Sequence, residues 1–436
     1  MEVNFQIYHY WRSQCAMKGV RMTSRERILA ACNHKEADRV PIDCGSMRST
    51  GVSAITFNNL MKYFGRRDPC LMYDYQQQLA YTGDFLRELF HVDSMDVGEA
   101  FVGDIQKDWK PWRLGDGSEC LIPQYIDVRR DEEGTAYLYD DTGHRVGRMP
   151  LDAKTAAQCY YPYQQLEEIP EHIDPEVINQ TFWSVPCLPF HLDLAGSQED
   201  YETFVKTIKE LRRKTDKALM ISIGHSYFEF GGYIRELNNW LADIMMDPEG
   251  TNRLLDMMEE TYMVKLDCIM KDIADDVDIV EFGDDLGTQS GAWMNPEIVK
   301  KMFIPRYKKL FDYVHQHSNA KVFLHSCGDL STVLGMLADI GLDIINPVQT
   351  TAAHMDPVWL KKEFGKDLTF WGGGCEAQTI LTFGTPQQVA DQVKERIEIF
   401  GKDGGFVFNM VHNILENVPI ENVLTMFKTA YEFGAY

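Results

Sequence analysis

The sequence predicts an α/β chain built as a (β/α)8 TIM barrel carrying an antiparallel β insertion. Two observations carry that prediction. Short apolar runs alternate with helical patterns, and the helical patterns open on a cap followed by proline or close on glycine. The runs number eight, and strands alternating with helices fold as βαβ units around a parallel sheet. An open doubly wound sheet is the alternative, but no Gly-x-Gly-x-x-Gly follows any run to support it.

Taken in order, the first four runs are 40–43, 93–97, 218–223 and 278–282. After the fourth, Asn295 caps a helix with Pro296 at its first position and Ile298, Val299, Met302, Phe303 and Leu310 along one stripe. The fifth run, Lys321–His325, leads to a helical pattern over 330–340 that stops at Gly341. Run 343–347 is followed by Asp356-Pro357 and a helix ending at Phe364-Gly365. Run 368–372 precedes Thr385-Pro386 and a helix with Val389, Val393, Ile397 and Phe400 on one face. Run 405–409 leads to Pro419 and a last amphipathic helix.

One stretch breaks this rhythm. Residues 109–150 carry turn signals at Gly115-Asp-Gly117, Asp131-Glu-Glu-Gly134 and Asp140-Asp-Thr-Gly143, with alternating segments between them. They read as a β-meander inserted after the second strand. The expected organisation is therefore an N-terminal extension, 1–21, and a single barrel domain, 22–436, that contains this insertion.

Composition narrows the partners. Lys+Arg number 43 against 66 Asp+Glu in 436 residues, a formal charge of −23, which argues against nucleic acid and anionic membranes. With 44% hydrophobic residues the chain has ample material for a core. No segment approaches the roughly 20 apolar residues of a membrane span, and 1–20 lacks a signal-peptide h-region, so a cytoplasmic location is expected. Ten scattered cysteines then read as reduced thiols, a few of which could be metal ligands.

The sharpest chemical signal is His325-Ser-Cys327 at the end of one strand, with Cys375 48 positions later at the end of another. Barrel strands converge at their C-terminal ends, so one imidazole and two thiolates there suit a zinc ion with an open fourth position. The competing reading is a buried cysteine pair and a polar loop histidine. Acids stand at other strand ends: Asp284 and Asp285 in Gly283-Asp-Asp-Leu-Gly287, and Glu229 among aromatics. Glu229 and Asp284 are candidate catalytic groups, as general acid or base or as an occupant of the open site. The Asp-Asp turn is equally readable as a helix cap, and Glu281 faces either the helices or the barrel. Tyr227, Phe228, Phe230, Trp293 and Trp371 crowd the same loops and would line a mouth for a small organic substrate, or pack beneath the loops. His225, His354 and His412 read as ordinary loop histidines.

These motifs also carry a resemblance. Met22-Thr-Ser-Arg-Glu-Arg-Ile-Leu, Asp38-Arg-Val-Pro-Ile42, Gly283-Asp-Asp-Leu-Gly287, Asn295-Pro-Glu, His325-Ser-Cys-Gly-Asp329, Asp343-Ile-Ile-Asn-Pro347 and Gly372-Gly-Gly-Cys375 resemble the uroporphyrinogen decarboxylase-like superfamily. Within it the chain is similar to the corrinoid-linked zinc methyltransferase branch, of the O-demethylase type. The resemblance implies a zinc ion on His325, Cys327 and Cys375 and a corrinoid (cobalamin) carried by a partner protein. It implies methyl transfer from a small methylated substrate, best an aryl methyl ether, to Co(I), or from methyl-corrinoid to a thiol. An arginine-rich decarboxylase signature is missing, since the chain reads Asp43-Cys-Gly-Ser-Met-Arg48 at that place. No Asp-x-His-x-x-Gly corrinoid motif occurs, so the corrinoid is expected on the partner. The expected partners are thus a small-molecule methyl donor or acceptor and a corrinoid protein, with a homodimer left open.

Overall fold

Alternation along each strand decides the architecture. The computed structural model describes residues 22–184, 196–224 and 226–436; the expected extension 1–21 and His225 lie outside them. Seven strands, β1 (Ser94–Asp96), β2 (Ala218–Gly224), β3 (Ile279–Gly283), β4 (Lys321–His325), β5 (Ile344–Asn346), β6 (Thr369–Trp371) and β7 (Phe406–Val407), form one sheet in chain order. All their pairings are parallel. Side chains two apart share a face, so Ala218, Met220, Ile279, Phe323, Ile344, Trp371 and Val407 make one buried inner cluster. The alternate set, including Val280, Phe282, Val322, Leu324, Ile345, Phe370 and Phe406, packs in the main core with helix residues such as Leu310, Phe311, Leu334, Leu360, Val389 and Val393.

Both edges of this sheet meet the same segment. Asp43 donates its N–H to the Phe408 carbonyl at 2.9 Å and Phe408 donates to Pro41 at 2.8 Å, while Asp93 donates to Ile42 at 2.7 Å. The sheet is therefore curled in the manner of a TIM barrel, with residues 40–43 bridging the β7 and β1 sides. Asp93 anchors that bridge. Its buried carboxylate accepts from Arg27 at 2.7 Å, from Arg39 at 2.7 and 2.9 Å, and from the Ile42 N–H at 2.9 Å. The helix Ser24–Cys32 places Ile28, Ala31 and Cys32 in the inner cluster, so it plugs the floor.

Helix signals read from the sequence mostly hold. Thr385 and Gln388 form a capping box at the start of Pro386–Phe400, Asp356 caps Pro357–Phe364, and Asn295 caps Pro296–Ile298. The expected single helix after Asn295 instead passes through a π turn, Val299–Phe303, before continuing as Ile304–His317. Pro305 explains this. It has no N–H to give the carbonyl four residues back, and its ring crowds that carbonyl. The pattern over 330–340 yields a shorter helix, Leu334–Asp339.

The insertion is antiparallel, as expected, but it forms two sheets. Trp109–Arg113 pairs with Glu119–Pro123, and a separate four-stranded sheet runs from Val128–Arg130 to Ala157–Gln158, past residue 150. No helix among the described residues is long and apolar enough to cross a membrane.

Candidate metal centre

His325 closes β4 on the inner face, two residues after Phe323 of the inner cluster. Its Nδ1 lies 2.6 Å from Oδ1 of Asn346, the residue opposite it on β5. The Asn346 amide is itself oriented, because its Nδ2 donates to the Trp371 carbonyl at 2.7 Å. Oδ1 therefore accepts from Nδ1–H, and the lone pair of Nε2 is left facing the mouth. Cys327 Sγ stands 3.4 Å from that Nε2, and Ser49 Oγ is also 3.4 Å from it.

The third member is His412. Ligand atoms of His325, Cys327 and His412 all lie within 4.8 Å of one another. His412 follows the last strand with a positive φ of 68°, a backbone state uncommon outside glycine that turns the side chain toward the other two. Burial, then the neighbouring His325, lowers its pKa and keeps the ring neutral, the form that binds metals. Cys375 is not among the three. It is fully buried, and its carbonyl accepts from Val411 at 2.8 Å, so its loop packs directly against the segment carrying His412.

Close loop packing holds the cysteine. A Cβ on Gly328, whose φ is +88°, would fall 2.4 Å from the Gly287 carbonyl carbon, so the 284–288 and 326–329 loops touch through their backbones. Asp285 fixes the turn by accepting the Cys327 N–H at 2.7 Å, and its Oδ1 is 3.7 Å from His325 Nε2. Burial, then the Asp285 and Glu229 carboxylates, push the Cys327 thiol up.

The two acids singled out in the sequence are placed differently. Asp284 is fully buried and accepts the N–H groups of Tyr227, Phe228 and Glu229 at 2.8, 2.8 and 2.9 Å, together with the Tyr307 hydroxyl. Those N–H groups open the helix Phe228–Arg235 and have no partner inside it. Asp284 is thus a cap supplied from another strand. Burial raises its pKa to about 6, against the pull of these hydrogen bonds. Glu229 accepts from the Tyr233 hydroxyl at 2.5 Å, and burial, then Asp285 and Asp284, push its carboxyl well above the usual range.

The aromatic residues divide as well. Trp293 is 37% exposed, and Phe228 packs beneath it at 5.9 Å between ring centroids. Tyr227 is buried against Tyr262 and Tyr307, and Phe230 packs on Tyr233 and Tyr262. Trp371 lies in the inner cluster, where its Nε1–H donates to Asp43 at 2.9 Å. His354 is on the surface, paired with Asp329 at 2.8 Å. Glu281 is settled: it shares the inner face of β3 with Ile279. Asn346 and the placement of His412 were not found from the sequence. The signal for His412 was its position after the last strand, equivalent to that of His325 after β4.

A TIM-barrel-like sheet with imidazole and thiol groups gathered at the C-terminal mouth defines the class of barrel enzymes that work at that face. The chain belongs to the uroporphyrinogen decarboxylase (URO-D) family, whose model matches residues 169–433. A uroporphyrinogen decarboxylase of Carboxydothermus hydrogenoformans is 24% identical over 245 residues, covering 55% of this chain. The chain spans 65% of that relative's length. In fold it is similar to a methyltransferase from Methanosarcina mazei, with a TM-score of 0.57 at 15% identity, over 95% of this chain and 99% of that one.

Proposed function

We propose that the chain is a zinc-dependent methyltransferase that moves a methyl group from a small methylated substrate, an aryl methyl ether, to the Co(I) of a corrinoid held by a separate protein. The observation that carries this reading is the convergence of His325, Cys327 and His412 within 4.8 Å at the ends of parallel strands. The donor set fits zinc: two imidazoles, one of them with its tautomer fixed by Asn346, one thiol, and room for a fourth ligand. When bound there, zinc supplies Lewis-acid polarisation of the heteroatom that carries the methyl group.

The chain's own residues supply the rest. Asn346 orients His325, and Asp285 holds the Cys327 backbone. In this reading Glu229, whose carboxyl burial pushes well above its usual range, gives a proton to the departing oxygen, and Asp284 caps the helix start that carries it. Phe228 and Trp293 offer an apolar wall at the mouth. In the reverse direction the same site would take an acceptor thiol.

A decarboxylase reading is favoured by the family match and by the curated relative. The barrel interior opposes it. Its buried ionisable groups include Asp96 and Glu281, and Arg48 is engaged by Asp74 at 3.3 Å, the reverse of what a polycarboxylate needs. Elemental analysis and methyl transfer from methoxyaromatics to cob(I)alamin test the proposal together. One zinc per chain with transfer supports it; a metal-free preparation that decarboxylates uroporphyrinogen overturns it.

A further inference from the structure

Below the metal centre the barrel holds a second set of polar groups that the proposed chemistry does not use. Glu281 points inward from β3, and a Cβ on Gly283 would stand 3.4 Å from Glu281 Oε1 and 3.9 Å from His325 Cβ. The two side chains therefore occupy adjoining levels of the barrel interior. Asp96 closes β1 opposite Met220 and uses one oxygen to accept the Gly98 N–H at 2.8 Å. Arg48, next in the chain to Ser49 that touches His325, pairs with Asp74 at 3.3 Å. Among the described residues no cation comes within ion-pair distance of Asp96 or Glu281, though both side chains are buried and each feels the field of Arg48.

Independent of these acids, two phenols wait for a partner. Tyr73 and Tyr81 are 2% and 5% exposed and stack at 4.3 Å, and their hydroxyls have no hydrogen-bond partner among the described residues. Burial, then the charges of Asp74, Asp96, Arg48 and Glu99, act on the Tyr73 hydroxyl, and Asp96 is the first charge acting on that of Tyr81. Buried polar groups left without partners are costly, and a native chain keeps few without a use.

We propose that this part of the barrel interior binds an ammonium group of the substrate, held by Asp96, Glu281 and the Tyr73 and Tyr81 hydroxyls, with the methyl-bearing end turned to His325, Cys327 and His412. The donor and acceptor count favours it. An ammonium brings three N–H donors and one positive charge to two carboxylates and two phenol oxygens. A carboxylate ligand would add charge of the wrong sign, and a neutral alcohol would leave the acids without a counter-charge. Burial raises the carboxyl groups of both Asp96 and Glu281 to about 7, against the opposing pull of Arg48. The identification of the methyl-bearing end rests on the proposed methyltransferase reading; the ammonium subsite does not.

Calorimetry on the full-length chain as isolated, at pH 7.5, tests it, with 3-methoxybenzylamine, 3-methoxybenzyl alcohol and 3-methoxybenzoate as probes. The amine is expected to bind at least tenfold more tightly than the alcohol, and the benzoate more weakly than either. Glu281→Gln and Asp96→Asn should each bring the amine down to the alcohol's affinity and leave the alcohol unchanged. Equal affinities in the wild-type chain, a preferred benzoate, or no amine binding up to millimolar concentration overturns the proposal, whether or not the variants fold. Amine preference without methyl transfer keeps the subsite and removes the reaction; transfer without amine preference does the reverse.

Discussion

The Nε2 of His325 and the Sγ of Cys327 are 3.4 Å apart, although one residue ends a strand and the other lies two residues into the following loop. That approach requires the loop to turn back on the strand, which the contact between Gly328 and Gly287 and the Asp285 hydrogen bond secure. His412 completes the group from the far end of the sheet.

If His412 is the third ligand, His412→Ala should weaken zinc binding more than about 100-fold, beyond the effect of losing an outer partner. Cys375→Ser should keep its zinc and lose only stability, about 1–3 kcal/mol for a hydroxyl at a fully buried site. Chelator competition reads both. Zinc lost from Cys375→Ser and retained by His412→Ala would restore the ligand set expected from the sequence.

Asp284 acts through position. Asp284→Asn removes one of the acceptors that hold three N–H groups and a phenol, so a loss of roughly 2–4 kcal/mol in urea unfolding is expected. Zinc stoichiometry should not change. Unaltered stability would mean the cradle is incidental.

Glu229 is the proton donor in the proposed direction. Glu229→Gln should lower the rate of methyl transfer about 10²–10⁴-fold and leave zinc content at one per chain. A rate within twofold of wild type would remove Glu229 from the chemistry.

Glu281 gives a pH test with a definite sign. Its folded-state pKa of about 7 lies above the ordinary 4.5. Between those values the unfolded chain releases the proton and the folded chain keeps it, so stability falls as pH rises through the window. Glu281→Gln lacks this penalty. Its stability relative to wild type should rise between pH 4 and pH 8 by an amount on the order of 3 kcal/mol. A difference independent of pH in denaturant titrations would show that the carboxyl is not perturbed.

Asp93 is the keystone of the bridge between the sheet edges. Asp93→Ala leaves Arg27 and Arg39 buried without their shared partner, and a cost of about 3–5 kcal/mol follows. Hydrogen exchange should then rise first at the Ile42 and Asp43 amides. Uniform exchange across the sheet would place the bridge elsewhere.

The sequence by itself determined the alternating elements and the helix starts at Pro296, Pro357 and Pro386, because periodicity and capping act over a few residues. It also determined that His325 and Cys327 stand together at a strand end, since two residues of separation leave little freedom. Tertiary structure decided the rest. His412 comes within 4.8 Å of them, a placement that depends on a positive φ in its own loop and on the packing of that loop against the one carrying Cys375. Trp371 is fully buried in the inner cluster, where its indole meets Asp43 from the other end of the chain. The inward facing of Glu281 and Asp96 follows from the phase of each strand against its neighbours in the curled sheet. A hydrophobic run carries no record of that phase when both of its faces are buried.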